Sequence, residues 1–226
     1  MGMKGKVALG AVVGIVVIGA VSANSGDDSS DSTSSDKGSS ASAKAKPGGE
    51  KEAAKAAEEK KVAFEGDGDF QVGSDIKPGT YRTSGNDDGM CYWERAKDAS
   101  GEMDSLLAND NVTGTSYVTV KASDKLFKSS DCNDWEAVDT KAKGSPAATM
   151  AGDGGMFRVG ADIAPGTYKS TGNKDDMCYW ERTKDAEHGL DSIIANDNVT
   201  GSAVVTISAS DTYFKTSGCT DWKKTG

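Results

Sequence analysis

Three regimes of hydrophobic patterning follow one another along the 226 residues. Val7–Val21 is an unbroken apolar run of Val, Ile, Ala, Leu and Gly behind Lys4 and Lys6. A spanning helix needs about 20 apolar residues and a signal-peptide core about 7–15, so two readings of residues 1–23 stand side by side. One is a signal peptide, with the small residues Val21-Ser22-Ala23 offering cleavage after Ala23. The other is a retained N-terminal membrane anchor, with residues 7–21 as the only membrane contact. Both place the remaining chain outside, since the lysines ahead of a retained helix belong on the cytoplasmic side.

From residue 24 to residue 61 no aromatic and almost no aliphatic side chain larger than Ala appears. Such a tract cannot bury enough surface to offset its ordering entropy, so 24–61 reads as a disordered Ser/Asp/Lys/Ala-rich spacer. Glu50–Lys61 holds good helix formers with mixed charge spacing, which supports a marginal solvated helix and no more.

After Val62 the pattern changes to short runs of aromatic and β-branched residues separated by Gly, Asn and Asp clusters. These predict strands at Phe70–Val72, Thr80–Thr83, Cys91–Arg95, Tyr117–Val120 and Leu126–Lys128, and Asp104–Ala108 as a further strand. Pro78-Gly79 and Pro165-Gly166 predict tight reversals entering a strand. The Asn-Asp-Asn-Val-Thr-Gly stretch at Asn109–Gly114 is composed of turn formers and is expected as a turn, with calcium coordination left as an open alternative.

The whole pattern occurs twice. Phe70–Trp135 aligns without a gap on Phe157–Trp222 at an offset of 87, with about 40 of the aligned positions identical. Duplication predicts residues 62–135 as one β repeat, 136–151 as a polar linker and 152–226 as the second repeat. The expected fold is all-β, as two tandem small antiparallel sandwich or barrel modules.

Four cysteines sit two per copy at equivalent places. In an exported chain an even count favours disulfides, and because each ancestral unit must fold alone, the pairing follows as Cys91–Cys132 and Cys178–Cys219. Closing a loop of about 42 residues stabilises by roughly 4 kcal/mol in the chain-entropy model, a large share of the margin of so small a domain.

Tyr92, Trp93, Glu94 and Arg95, with their copies Tyr179, Trp180, Glu181 and Arg182, are the candidate binding residues. An aromatic platform beside a carboxylate acceptor and a guanidinium donor suits a sugar or another hydroxyl-rich polymer. On a strand Tyr92 and Glu94 face one side and Trp93 and Arg95 the other, so one pair competes with the demand for core residues. No metal site or cofactor is implied, and no catalytic residue is assigned: the single histidine, His188, aligns with Gly101, so it cannot be a duplicated catalytic group and is expected in a surface loop. The formal charge of −9 disfavours nucleic acid as a partner.

The ordered motifs V-G-x-D-I-x-P-G-T-Y, C-Y-W-E-R, A-N-D-N and C-x-D-W resemble a repeat module of secreted or membrane-tethered actinobacterial surface proteins. The resemblance implies location and architecture, not a reaction. The expectation is therefore an exported, non-enzymatic binding or structural module, recognising a cell-wall or extracellular polymer or protein. A double-headed secreted proteinase inhibitor and a passive envelope spacer are the alternatives.

Overall fold

The computed structural model describes residues 62–226, apart from the side chains of Asp175 and Asp176. The signal peptide or anchor expected over 1–23 and the spacer over 24–61 lie outside the described residues. Repeat 1 supplies β1 (Val62–Phe64), β2 (Gly68–Gln71), β3 (Gly79–Ala96), β4 (Leu106–Val120), β5 (Leu126–Ser130) and β6 (Trp135–Ala137). Repeat 2 supplies β7 (Thr149–Met150), β8 (Gly155–Arg158), β9 (Gly166–Thr183), β10 (Ile193–Ile207), β11 (Tyr213–Ser217) and β12 (Trp222–Lys224).

The organiser of each repeat is its long strand. β4 runs antiparallel along one edge of β3, from the Gly79/Val120 pair to Ala96/Leu106. The other edge is divided: β6 pairs with Tyr81 and Arg82, and β5 with Tyr92 to Ala96. β2 then adds to β5 and β1 to β6. Repeat 2 repeats the scheme with β10, β12, β11 and β8 around β9, and with β7 added to β12.

Two expectations change here. The runs at Thr80–Thr83 and Cys91–Arg95 belong to one 18-residue strand, and Asn109–Gly114 lies inside β4 instead of forming a turn. The turn formers serve a bulge. Register shifts fall between Thr83, Asn86 and Cys91, opposite Gly114, whose φ of 71° is accessible to glycine at little cost. Buried Asn86 holds the irregularity, donating from Nδ2 to the Gly114 carbonyl at 3.0 Å and accepting at Oδ1 from the Asn133 amide at 2.8 Å. At Asp104–Ala108 a single 3₁₀ turn, Met103–Ser105, precedes the strand that starts at Leu106.

Both disulfides form as Cys91–Cys132 and Cys178–Cys219, each tying the long strand to the loop after the fifth strand of its repeat. Each joins a cluster built on a tryptophan. In repeat 1, Phe64, Tyr81, Trp93, Phe127 and Trp135 pack with Val112, Val118 and Val120; in repeat 2, Tyr168, Phe214 and Trp222 pack with Ile163, Val205 and Ile207. Tyr81 and Trp93 come from opposite halves of β3 yet meet in one cluster, so the strand bends at the bulge to close its own core. The two indole N–H groups of repeat 1 are satisfied by Ser116 and Ser129 hydroxyls, which removes the cost of burying them.

The repeats are not separate sandwiches. They join into one mixed 12-stranded sheet through a parallel contact between Thr115 of β4 and Gly155 of β8. The cause is the outer edge of β4, whose amides need partners: Thr115 donates to the Gly154 carbonyl at 3.0 Å and Thr119 to the Ala186 carbonyl at 2.7 Å. Backbones approach this closely because glycines face each other. A Cβ on Gly155 would lie 2.2 Å from the Thr115 oxygen, and one on Gly114 would lie 2.5 Å from the Gly154 oxygen. The expected linker is likewise drawn in. Arg158 donates from its two Nη atoms to the carbonyls of Asp139 and Ala142, at 2.9 Å each.

Candidate functional site

Alternation along β3 separates the five residues Cys91 to Arg95 onto two faces. Cys91, Trp93 and Arg95 point inward and are buried. The Arg95 guanidinium binds Asp124 through two hydrogen bonds, Nε to Oδ2 at 2.7 Å and Nη2 to Oδ1 at 3.1 Å, and Asp124 also accepts from the Lys121 amide. Trp93 and Arg95 are therefore structural. Their copies repeat the arrangement more loosely: Arg182 pairs with Asp211 at 2.6 Å, but the Arg182 side chain stays 22% exposed against 4% for Arg95.

Tyr92 and Glu94 point the other way, into a groove of about 320 Å³. Tyr92 donates its hydroxyl to Glu94 Oε2 at 2.7 Å, and Asn109 of the neighbouring β4 reaches the same hydroxyl at 3.5 Å. Burial and the adjoining carboxylate push the Tyr92 phenol above its ordinary range, so it remains a neutral donor. Asp69, Asp98 and Glu102 add carboxylates along the groove, against the single ammonium of Lys128. The site is negative, and its free oxygens accept hydrogen bonds. It suits hydroxyl and ammonium groups and repels phosphate.

The same constellation exists in repeat 2. Tyr179 donates to Glu181 at 2.7 Å and Asn196 to the Tyr179 hydroxyl at 3.2 Å, with the phenol pushed up to about 12 by burial and then by Glu181. Here, however, Asn109 and Asp110 of repeat 1 line the space beside Glu181, about 140 Å³, and Asp110 and Asn111 line a separate space of about 170 Å³ beside Tyr179. The Asp110 carboxylate accepts two hydrogen bonds from Lys215 Nζ, at 2.7 and 2.8 Å. The sister repeat narrows the second groove, and Glu181 is buried there where Glu94 is half-buried.

The residue that sequence reasoning misplaced is His188. It is not at the surface. Its ring stands edge-on to Trp93 at 4.7 Å between centroids, and its Nε2 lies 2.7 Å from the Tyr117 carbonyl. A carbonyl only accepts, so Nε2 carries the proton. Burial depresses the imidazole below its ordinary range; the Asp110 carboxylate opposes that shift and the Lys215 ammonium reinforces it. Beside it Tyr117 donates to Asp162 at 2.7 Å, stacks at a tilt on Tyr213 with centroids 5.2 Å apart, and receives Arg82 over its ring face. A signal was available. Aligned copies differ at His188/Gly101, Tyr117/Val204, Tyr213/Leu126 and Met156/Asp69, and all four positions lie where the repeats meet or where they would.

The Asn109-Asp110-Asn111 oxygens do not converge on an ion. In a strand successive side chains diverge, and Asp110 is spent on Lys215. Among the described residues no group of three or more His, Cys, Asp or Glu is placed to hold a metal.

No curated protein and no solved structure matches the chain. A family model, the Rv1352-like extracellular domain, matches twice, over residues 62–136 and 148–223, about two thirds of the chain. These bounds fall on the two repeats, and with paired half-cystines in each they set the domain outside the cell. The chain belongs to the Rv1352-like extracellular domain family and carries that domain in tandem.

Proposed function

We propose that this extracellular chain is a non-enzymatic binding module that recognises a cell-wall or extracellular polymer bearing hydroxyl and ammonium groups, through the groove of repeat 1. The observation that carries the reading is the difference between the two grooves. The Tyr92–Glu94–Asn109 groove holds about 320 Å³, whereas Asn109 and Asp110 of repeat 1 line the space of about 140 Å³ left at Glu181, which is buried where Glu94 is half-buried. The duplication thus leaves one roomier site, in repeat 1. In that site Glu94 accepts from hydroxyl or ammonium donors, Tyr92 offers a ring edge and a phenol, and the acidic lining attracts cationic groups.

Retention of the full chain on insoluble cell-wall material and on extracellular polysaccharide tests it. Glu94→Gln and Tyr92→Phe lower retention by about tenfold, the scale of one lost charged hydrogen bond, while Glu181→Gln and Tyr179→Phe leave it unchanged. Retention that is absent in the parent chain, or indifferent to all four changes, rejects the reading.

A further inference from the structure

The contact between the repeats is heterologous: repeat 1 offers the outer edge and face of β4, repeat 2 offers Gly154-Gly155, the 186–188 loop and β11. Each repeat therefore uses a different one of its two surfaces and, among the described residues, leaves the other unused. On repeat 2 the unused surface is β10, a 15-residue strand that among the described residues pairs with β9 alone. Its Val204, the counterpart of buried Tyr117, is 61% exposed. On repeat 1 the unused surface is Asp67-Gly68, the loop at Ala99 and Gly101, and β5.

These two surfaces, unpaired with each other among the described residues, share the backbone and charge pairing that joins the repeats, but not its tyrosine, His188 and Met156 contacts. Ser202 and Thr206 stand where Thr115 and Thr119 donate their amides, and the carbonyls of Asp67 and Ala99 stand where Gly154 and Ala186 accept. Val204 and Leu126, an aliphatic pair, replace the Tyr117/Tyr213 pair; Asp197 and Lys128 replace Asp110/Lys215; Lys169 and Asp75 stand where Arg82 and Asp162 flank the Tyr117 ring. Around Gly201, the counterpart of crowded Gly114, there is open space for another backbone. We infer that β10 of one chain docks on repeat 1 of a second copy, continuing the internal interface from chain to chain as an open, head-to-tail stack. This goes beyond polymer recognition and does not require it, although stacking narrows the groove of repeat 1 just as repeat 1 narrows that of repeat 2.

Sedimentation velocity of the full chain across a concentration range tests the stack. The parent chain gives a concentration-dependent ladder of dimers and longer species. Val204→Lys, Lys128→Asp and Asp197→Lys each weaken association by about tenfold or more, and Lys128→Asp combined with Asp197→Lys restores it, because the pair is re-formed between chains. Val204→Lys alters a side chain outside both grooves, so its effect on stacking is separable from loss of polymer retention; near-ultraviolet circular dichroism and absence of free thiols check that each variant is folded. A parent chain that stays monomeric to its solubility limit, a closed dimer that grows no further, association indifferent to the substitutions, or a β10 edge that takes up an added extended peptide in place of a second copy would each overturn the inference.

Discussion

Trp93 and Trp180 occupy the same place in two copies of one sequence, yet Trp93 is 0% exposed and Trp180 is only half-buried. The indoles, the stacked phenylalanines beneath them and the disulfides behind them are equivalent. What differs is the lid. His188 and its loop cover Trp93, and among the described residues no ring stands over Trp180 in the same way. A duplicated fold has thus become two unlike halves, one whose β4 edge is capped and one whose β10 edge is unpaired among the described residues. Burial at a given position is decided by its neighbour in space as much as by the residue itself.

The comparison can be broken hardest at the buried ion pairs. Asp124→Ala strands the Arg95 guanidinium in a dry site, and urea unfolding followed by tryptophan fluorescence is expected to show a loss of about 3 kcal/mol or more. Asp211→Ala should lose less, about 1–3 kcal/mol, because the Arg182 side chain is 22% exposed and can reach water. Equal losses from both would mean that the lid does not change the environment of the pair. Next in size is the seam itself. Tyr117→Val installs the residue of repeat 2 and removes an aromatic contact and a hydroxyl bond, for an expected cost of about 2 kcal/mol. The reverse change, Val204→Tyr on the exposed face, is expected within about 0.5 kcal/mol of the parent.

The smallest effect is the titration of His188. The imidazole is depressed by burial, and Asp110, Lys215, Glu181, the Trp93 ring and the Tyr117 carbonyl face it. Its pKa in the unfolded chain, about 6.5, lies above the folded one, so unfolded chains bind the proton first. The stability it contributes is present above that ordinary value and declines as pH falls below it. Urea midpoints measured at pH values on either side should therefore fall toward acid more steeply in the parent than in His188→Gln. Parallel slopes would show that His188 is not the group responsible.

Much of the fold was legible because local chemistry dictated it. Alternation along Cys91–Arg95 predicts which side chains share a face, though not that Arg95 is buried, and duplication predicts the cysteine pairing, since both depend on properties of a single repeat. The turn expected at Asn109–Gly114 failed for a non-local reason: β3 offers those residues a continuous pairing partner, and Asn86 with Gly114 absorbs the misfit that would otherwise demand a reversal. The expectation of independent modules failed at the same level. Nothing inside either repeat announces that the β4 edge will be capped, because the capping groups, the carbonyls of Gly154 and Ala186, lie in the other copy and belong to the backbone. The candidate site was half legible. Strand parity set Tyr92 and Glu94 apart from Trp93 and Arg95 without saying which pair faces out, while the narrowing of the second groove is written in seam positions such as Tyr117/Val204 and His188/Gly101, a few of the many at which the copies differ.

Residue 155 has no side chain, and that absence governs how the two halves live together. A methyl group there would meet the Thr115 oxygen, main chain that no rotamer change can move aside. Its twin, Gly68, is hemmed in chiefly by the ring of Phe70, which can swing away. At Gly68 a substitution strains its own backbone but meets only a movable ring, whereas at Gly155 it also prises the repeats apart and leaves two beads on a string where there had been one body.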